Sequence, residues 1–251
     1  MAKLRFAAPV ERRAALVTGG ARGLGRACAL RLAEEGRDVA IADVLAERGA
    51  ETVKEIEALG QQAIFVETDV TDEAAVQQMV ARTVETFGRL DILVCCAGIL
   101  GWEKPFFEQP IGQFDKVMRI NVYGVYMAHQ AAVPHMLERG WGRCVTITSG
   151  ARMGSPNQVP YCVSKAAVYT FVQSLGNAWP KQGVFVNGVE PGRALTGMVV
   201  PRFSAEHLAN PGTPIGRYSD PEEVAEVVEF LCSERNTYTT GSVWSVKGAS
   251  G

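Results

Sequence analysis

Two residues in the second half of the chain have side chains that could together transfer a proton, because of their types and their spacing. Tyr161 and Lys165 are four positions apart, so a helix that begins near Pro160 would place both on one face. A free phenol has a pKa of about 10, and a neighbouring ammonium group favours the phenolate and lowers that pKa. Tyr161 is therefore a candidate general acid/base, although an ordinary surface pair on an amphipathic helix has the same spacing.

A glycine-rich turn near the start of the chain could bind a phosphate. The apolar run from Ala14 to Thr18 is typical of a strand, and a helical pattern follows the turn. Glycines let the backbone bend sharply and approach a ligand, while the helix start offers free N–H groups and the positive end of its dipole. The turn has glycines at three spaced positions, Gly19, Gly23 and Gly25.

Predicted strands alternate with predicted helices along the rest of the chain. This order predicts an α/β fold, a single-domain doubly wound parallel sheet (Rossmann-like) over residues 1–251. Ligands of such sheets bind beyond the carboxyl ends of the strands. Asp43 lies at such an end, 18 residues after Gly25, where a carboxylate could bind the ribose hydroxyls of an adenosine. Ser149 lies at another strand end.

Three segments have features that fix the expected boundaries. We predict a helix over Thr71 to Phe87 with its cap near Thr71, and a long helix over Ile111 to Arg139 that Pro134 kinks or restarts. Asn121 is a poor residue for the middle of that helix, and an exposed or satisfied amide is its simplest explanation. The irregular stretch over residues 193–219, rich in proline and glycine, is interpreted as a substrate lid with a short helix near residues 204–209.

Composition excludes several classes of function. The chain has 251 residues, 47% of them hydrophobic, and 25 basic against 27 acidic residues. The two signs are interspersed, which argues against a nucleic-acid partner. Met1 to Arg13 lacks an apolar signal core, and no run of about 18 apolar residues predicts a membrane span, so we expect a cytoplasmic protein. The six cysteines lack metal-ligand spacing, so we expect reduced, mostly buried thiols and no metal site.

Taken together, these motifs resemble the classical short-chain dehydrogenase/reductase family from about Ala14 to Gly248. The matching motifs occur in the family's order: Thr18-Gly19-x-x-x-Gly23-x-Gly25, Asp69-Val70, Asn121, Ser149, Tyr161-x-x-x-Lys165, Pro191-Gly192 and Thr196. The resemblance implies hydride transfer between a nicotinamide dinucleotide and a small-molecule alcohol or carbonyl substrate. It also implies a homotetramer or homodimer.

The resemblance assigns a role to each matching residue. Tyr161 is implied to be the acid in reduction and the base in oxidation, and Ser149 to hold the substrate oxygen. Lys165 is implied to lower the Tyr161 pKa and to bind the nicotinamide ribose, and Asn121 to support a proton relay through water. Asp43 is implied to bind the adenosine ribose. The other implied cofactor contacts are Gly19, Arg22, Gly23, Leu24, Gly25, Asp69, Val70, Cys96, Ala97, Gly98, Pro191, Gly192, Ala194 and Thr196.

The substrate pocket is the least defined part of the prediction. We expect Ser149 and Tyr161 to be joined by the apolar side chains of Trp102, Met153 and Met198, although aromatic residues in this region could equally pack between subunits. The chain also offers Arg152 and Arg193. Either arginine could hold an acidic substrate or simply be solvated.

The chain departs from the family pattern at four places. Cys95-Cys96-Ala97-Gly98 replaces Asn-Asn-Ala-Gly, Phe185 replaces an arginine, and Lys247-Gly248-Ala249 replaces Asp-Gly-Gly. The interval between the catalytic serine and Tyr161 is one residue shorter than is common. Counting back without a gap selects Thr148, whereas the strand pattern places Ser149 at the strand end and favours it.

Cofactor choice and overall function retain alternatives. Arg22 in the glycine turn favours NADP, whereas Asp43 would repel a 2′-phosphate. We expect Asp43 to dominate and NAD to be preferred. The alternatives are an NADP-preferring ketoreductase, including one for acyl-thioesters, and a catalytically silent nucleotide-sensing or structural protein. An epimerase or dehydratase of the extended relatives would need a longer chain and a different glycine spacing.

Overall fold

The computed structural model describes residues 12–209 and 212–249, which fold into one seven-stranded parallel sheet between two layers of helices. The strands are β1 Ala14–Thr18, β2 Asp38–Asp43, β3 Ala63–Glu67, β4 Ile92–Cys95, β5 Gly142–Ile147, β6 Val184–Pro191 and β7 Val243–Val246. The helices are α1 Gly23–Glu34, α2 Ala46–Ala58, α3 Glu73–Phe87, α4 Ile111–Met118, α5 Gly124–Arg139, α6 Val159–Gly176, α7 Ala205–Ala209 and α8 Pro221–Cys232. The predicted α/β doubly wound, Rossmann-like architecture is confirmed.

Parts of three predictions lie outside the described residues. These are most of the segment interpreted as lacking a signal core, two positions within the predicted lid, and the ends of the predicted single domain. Within the described ranges, every helix is too short or too polar to cross a membrane. All six cysteines are free thiols, and only Cys96 is partly exposed.

β1 is an inner strand of the sheet. It pairs in parallel with β2 on one side and with β4 on the other, and all five of its residues are buried. Alternate side chains serve two cores, because Ala15 and Val17 face the cluster that includes α1 and α8, while Leu16 faces the cluster that includes α3, α5 and α6. The chain crosses to opposite faces of the sheet from this point, which opens a crevice at the carboxyl ends of β1 and β4.

The start of α3 lies one residue beyond the predicted cap. Asp72, not Thr71, is the N-cap, and its carboxylate accepts hydrogen bonds from the backbone N–H groups of Ala74 and Ala75 at 2.8 and 3.3 Å. Thr71 is committed to a preceding turn, since its N–H donates to Asp69 at 2.9 Å. The cap thus lies near Thr71, as predicted, on the residue that follows it.

The long helix predicted over residues 111–139 is interrupted, but not at Pro134. α5 continues unbroken through that proline, whereas a π-helical turn over Arg119–Tyr123 separates α4 from α5. Asn121 lies in this turn and is 1% exposed. Its side-chain amide bonds with both backbone groups of Ile99, so the interruption falls where a helix residue is tied to the loop after β4.

Phe185 has a packing role at the edge of the sheet opposite the crevice. The buried guanidinium of Arg143 lies between two rings, 4.4 Å from the centroid of Trp141 and 4.2 Å from that of Phe185. Burial lowers the pKa of Arg143 to about 10. The phenyl ring thus supplies a cation–π partner for a buried cation, which accounts for this departure from the family pattern.

Replacing Leu93 with alanine should lower the free energy of unfolding by about 2–5 kcal/mol, because the shortened side chain leaves a cavity beside the central strand. Leu93 is fully buried in β4, whereas Leu59, just after α2, is 42% exposed. Leu59→Ala is the matched control and should cost less than about 1 kcal/mol. If denaturant unfolding showed the same loss of unfolding free energy for both variants, the assignment of Leu93 to the core would be contradicted.

Candidate active site

A cavity of ≈ 330 Å³ lies in the crevice at the carboxyl ends of the strands. Loops after β1, β2, β3, β4, β5 and β6 form its walls together with the start of the segment predicted to be a lid. Every residue predicted to contact the cofactor lines this cavity, namely Gly19, Arg22, Gly23, Leu24, Gly25, Asp43, Asp69, Val70, Cys96, Ala97, Gly98, Tyr161, Lys165, Pro191, Gly192, Ala194 and Thr196.

The glycine turn is shaped so that side chains are excluded from it. Gly19 has φ +68°, and a Cβ there would lie 2.6 Å from the backbone nitrogen of Ala97. A Cβ on Gly25 would lie 2.0 Å from the Gly19 carbonyl oxygen. α1 begins at Gly23 without a side-chain cap, so its first N–H groups remain available to an anion. This cradle fits the pyrophosphate of a nicotinamide dinucleotide.

Asp43 is held in a fixed orientation at the end of β2. Its two carboxylate oxygens accept hydrogen bonds from the backbone N–H groups of Ala21 and Leu45, each at 3.1 Å. The carboxylate therefore connects the glycine turn to the loop after β2 and lies in the cavity wall. Arg22 also lines the cavity, but its side chain is exposed to solvent.

Tyr161 is positioned by the first turn of α6. Burial raises the pKa of its phenol, and a hydrogen bond with Ser149 opposes that rise. Burial has the largest effect on this pKa, and the Lys165 ammonium nitrogen lies 5.7 Å from the Tyr161 ring centroid. The phenol is thus protonated at neutral pH, as a proton donor in carbonyl reduction must be.

Lys165 lies one turn further along α6 and is 7% exposed. Its ammonium group donates to the carbonyl oxygen of Ile147 at 2.8 Å, which anchors α6 to the end of β5. Burial lowers the pKa of Lys165 to about 8. The ammonium form still predominates at neutral pH, and it adds positive charge to a weakly solvated wall of the cavity.

The structure gives Thr148 and Ser149 different environments. The Thr148 hydroxyl donates to the carbonyl oxygen of Val189 at 3.0 Å and is buried between β5 and β6. The Ser149 side chain caps the 3-10 turn Gly150–Met153 by accepting from the Ala151 N–H at 3.2 Å. It is also the group that bonds with Tyr161, so the geometry favours Ser149 over Thr148.

Asn121 lies behind the cavity wall and does not line it. Its amide nitrogen donates to Ile99 at 2.9 Å and to the Ser164 hydroxyl at 3.0 Å, and its oxygen accepts from the Ile99 N–H at 2.8 Å. The side chain therefore links the loop after β4 to α6. A satisfied amide, one of the sequence-based explanations, is what the structure shows.

The predicted substrate residues separate into two groups. Met198 lines the cavity, whereas Trp102 and Met153 are 51% and 79% exposed and lie outside its wall. They occupy loops whose course the sequence pattern could not define. Arg152 is bound to Glu190 at 2.7 Å and is therefore not simply solvated.

Sequence reasoning missed other parts of the cavity wall. Many of these residues directly follow or end a strand, so their position at a carboxyl end was the available signal. They include Val44, Leu45, Thr68, Ile99 and Ile147. Glu190, at the end of β6, was also overlooked, although a carboxylate in an apolar strand is itself unusual.

The described residues of the predicted lid lie close to the glycine turn and are linked to the residue before α6. A Cβ on Gly23 would lie 3.6 Å from Thr196. Arg202 donates to Glu103 at 2.7 Å, and Glu103 also accepts from Gln158 at 2.7 Å, just before α6. The lid is thus linked by polar contacts to the segment that positions Tyr161. Its short helix, α7, agrees with the helix predicted near residues 204–209.

Comparisons with known proteins agree with this geometry. A family model described as enoyl-(acyl carrier protein) reductase matches residues 19–249. Two similar proteins from Sphingomonas sp. (strain SKA58) are an L-rhamnose 1-dehydrogenase (NAD(P)(+)) and a 2-dehydro-3-deoxy-L-rhamnonate dehydrogenase (NAD(+)). Each is 37% identical over 246 residues; the alignments cover 95% and 97% of this chain, and 96% and 97% of the respective relatives.

Solved structures give the same result. A dehydrogenase/reductase from Sinorhizobium meliloti 1021 superposes with a TM-score of 0.88 at 35% sequence identity, and the match covers 94% of each chain. The chain therefore belongs to the short-chain dehydrogenase/reductase family, and its similar relatives include nicotinamide-dependent dehydrogenases.

Proposed function

We propose that this protein is an NAD-dependent oxidoreductase that transfers a hydride between nicotinamide and a secondary alcohol or ketone, with Tyr161 as the general acid/base. The observation that supports it most directly is the convergence of Tyr161, Ser149 and Lys165 on the cavity that also contains the glycine turn. A proton donor and a phosphate-binding turn in one cavity are what such a reaction requires.

In the proposed reduction, Tyr161 donates its proton to the substrate oxygen as negative charge develops there. Ser149 orients that oxygen by hydrogen bonding, and the ammonium of Lys165 favours the phenolate that Tyr161 becomes. When bound, a nicotinamide dinucleotide would supply the hydride. The glycine turn, Asp43 and Lys165 would hold this cofactor. In oxidation the same residues act in reverse, with the Tyr161 phenolate accepting the proton.

A catalytically silent nucleotide-binding protein is a weaker interpretation. The positions that would need to change, Asn121, Ser149, Tyr161 and Lys165, all have competent side chains. Three of them line the cavity, and the fourth braces its wall through Ile99. Such an arrangement has no evident purpose in a protein that only senses nucleotides.

The substrate class can be tested directly by following absorbance of the reduced cofactor. The panel should include deoxysugars and sugar acids, because the two Sphingomonas relatives are named for them, with hydroxy acids, aromatic ketones and 3-oxoacyl-thioesters beside them. We propose a sugar or sugar-acid substrate as the first candidate. Absence of turnover with every carbonyl and alcohol in both directions would refute the oxidoreductase assignment.

Tyr161→Phe should reduce kcat by about 100-fold or more while leaving the dissociation constant for NAD within about threefold of the wild-type value, because the ring still packs but has no proton to donate. Steady-state kinetics and cofactor titration measure the two quantities. Tyr238→Phe is the matched control, since Tyr238 is 97% exposed. This substitution should change neither kcat nor the dissociation constant for NAD. More than a tenth of wild-type kcat in the Tyr161 variant would exclude its role.

Wild-type kcat/KM should favour NAD over NADP by about tenfold or more, since ~1.4 kcal/mol corresponds to each decade. A 2′-phosphate about 4 Å from the Asp43 carboxylate would experience a repulsion of ~1–4 kcal/mol per pair of unit charges at an effective dielectric of ~20–80. Asp43→Ala should reduce the ratio of kcat/KM with NAD to kcat/KM with NADP, mainly by weakening NAD binding. Better activity with NADP in the wild-type protein would instead assign cofactor choice to Arg22.

Residues 193–219 should be cleaved first in limited proteolysis, and NAD with a substrate analogue should slow that cleavage at least severalfold. The reason is that the segment has short helices and polar contacts to its surroundings, such as the partly exposed Arg202–Glu103 pair, which alone contributes little stability. Mass spectrometry of the first fragments identifies the cut. Equal cleavage rates with and without ligands would argue against a lid.

A further inference from the structure

Glu190 is a buried carboxylate at the edge of the active site that the mechanism above does not use. It occupies the penultimate position of β6, directly before Pro191 and Gly192, and is 1% exposed. A carboxylate removed from water to this extent must be paired and hydrogen-bonded. Its partners therefore indicate why it is there.

Two cations and a hydroxyl group satisfy the Glu190 carboxylate. One oxygen accepts from Arg152 Nε at 2.7 Å, and the other accepts from Lys247 Nζ at 2.7 Å and from the Ser245 hydroxyl at 3.3 Å. Burial opposes ionisation, yet the bonds with Lys247 and Arg152 keep the pKa of Glu190 below its usual value. The carboxylate thus joins β6, the end of β7 and the turn after β5. Lys247, another departure from the family pattern, acquires a partner here.

Arg152 connects this carboxylate to the candidate catalytic serine. It lies in the 3-10 turn Gly150–Met153 that Ser149 caps, and its N–H donates to the Ser149 carbonyl oxygen at 3.1 Å. Its guanidinium carbon lies 4.1 Å from the ring centroid of Tyr169, two turns along α6 from Tyr161. Arg152 therefore bonds with Ser149 through its backbone and contacts the helix that contains Tyr161 through its side chain.

The Glu190 and Lys247 side chains also lie close to the backbone of that turn. A Cβ on Gly150 would lie 3.8 Å from Lys247 Cδ and 4.0 Å from a Glu190 carboxylate oxygen. On the other side, the Gly192 N–H donates to the Val246 carbonyl oxygen at 2.8 Å. The turn, the end of β6 and the end of β7 thus meet at Glu190.

We propose that Glu190 is a positioning residue that acts through Arg152 to hold the Ser149 turn at its working distance from Tyr161. Buried ion pairs add little net stability compared with well-packed apolar groups, so directional control of the turn is the stronger reason for a charged network here. Displacement of a reacting group by about 1 Å can cost about 100-fold in rate. The inference rests on the proposed function for its kinetic consequence and on the described contacts for its structural one.

The kinetic test compares two single variants and their combination. Glu190→Gln and Arg152→Met should each lower kcat about tenfold or more, with KM for NAD changed less than threefold, and the double variant should be no worse than either single one because both remove the same connection. If the fold-losses of kcat in the two single variants instead multiplied in the double variant, the two residues would act independently. That result would overturn the proposed route through Arg152. Wild-type kcat in Glu190→Gln would overturn the role of Glu190 itself.

A second buried carboxylate with an arginine partner provides a matched control for loss of stability. Glu229 on α8 is 3% exposed and bonds to Arg235, and neither residue lines the active-site cavity. Glu229→Gln should lower the unfolding midpoint but leave kcat within twofold of wild type. If kcat fell in proportion to the unfolding midpoint in both the Glu190 and the Glu229 variants, Glu190 would have only a structural role.

Hydrogen–deuterium exchange tests the same inference without turnover. Amides of residues 149–154 should exchange about tenfold faster in Glu190→Gln than in the wild-type protein, whereas Glu229→Gln should leave them unchanged. Glu190→Asp keeps the charge but moves it back by one methylene, and it replaces the glutamine variant if that variant folds poorly. In Glu190→Asp the exchange rate of the same amides should rise by a smaller factor. Unchanged exchange in both Glu190 variants would refute positioning even if hydride transfer occurs, whereas faster exchange in a protein without turnover would refute only the proposed function.

Discussion

The parallel pairing of β1 with both β2 and β4 is the constraint on which the rest of the structure depends. Because the strands are parallel, their carboxyl ends meet at one edge, and because the chain crosses to opposite faces from β1, the helices there diverge and leave a crevice. β1 tolerates only small or apolar side chains, since both of its faces are covered. The glycine turn, Asp43 and the loop after β4 come together for this reason alone.

Within that crevice, buried polar groups are positioned mainly by backbone atoms. Lys165 bonds with Ile147, and Asn121 bonds with Ile99, so residues implied to be catalytic also brace the cavity wall. Burial has opposite effects on the two ionisable groups of α6, raising the pKa of Tyr161 and lowering that of Lys165 to about 8. Both shifts disfavour the charged form, and a proton donor with a nearby weakly solvated cation is the result.

Two departures from the family pattern now have physical explanations within this chain. Phe185 packs against the buried guanidinium of Arg143, and Lys247 neutralises Glu190. Each substitution belongs to a local set of contacts that must be considered together. Cys95 is buried, whereas Cys96 is partly exposed in the cavity wall; there the neighbouring backbone nitrogen of Ala97 closes tightly on Gly19, so the missing amide side chains leave the close backbone approach intact.

The sequence alone determined the elements whose signals are local. Strand and helix order, the glycine turn and the Tyr161–Lys165 spacing depend on neighbouring residues, and the structure confirms the predicted fold around them. Tertiary structure decided what depends on distant partners. The π-helical turn at Asn121 replaces the restart expected at Pro134 because Asn121 bonds with a loop 22 positions away. Glu190 and Arg152 are 38 positions apart, and no local pattern reports that pairing, because burial and partner geometry exist only once the sheet has assembled.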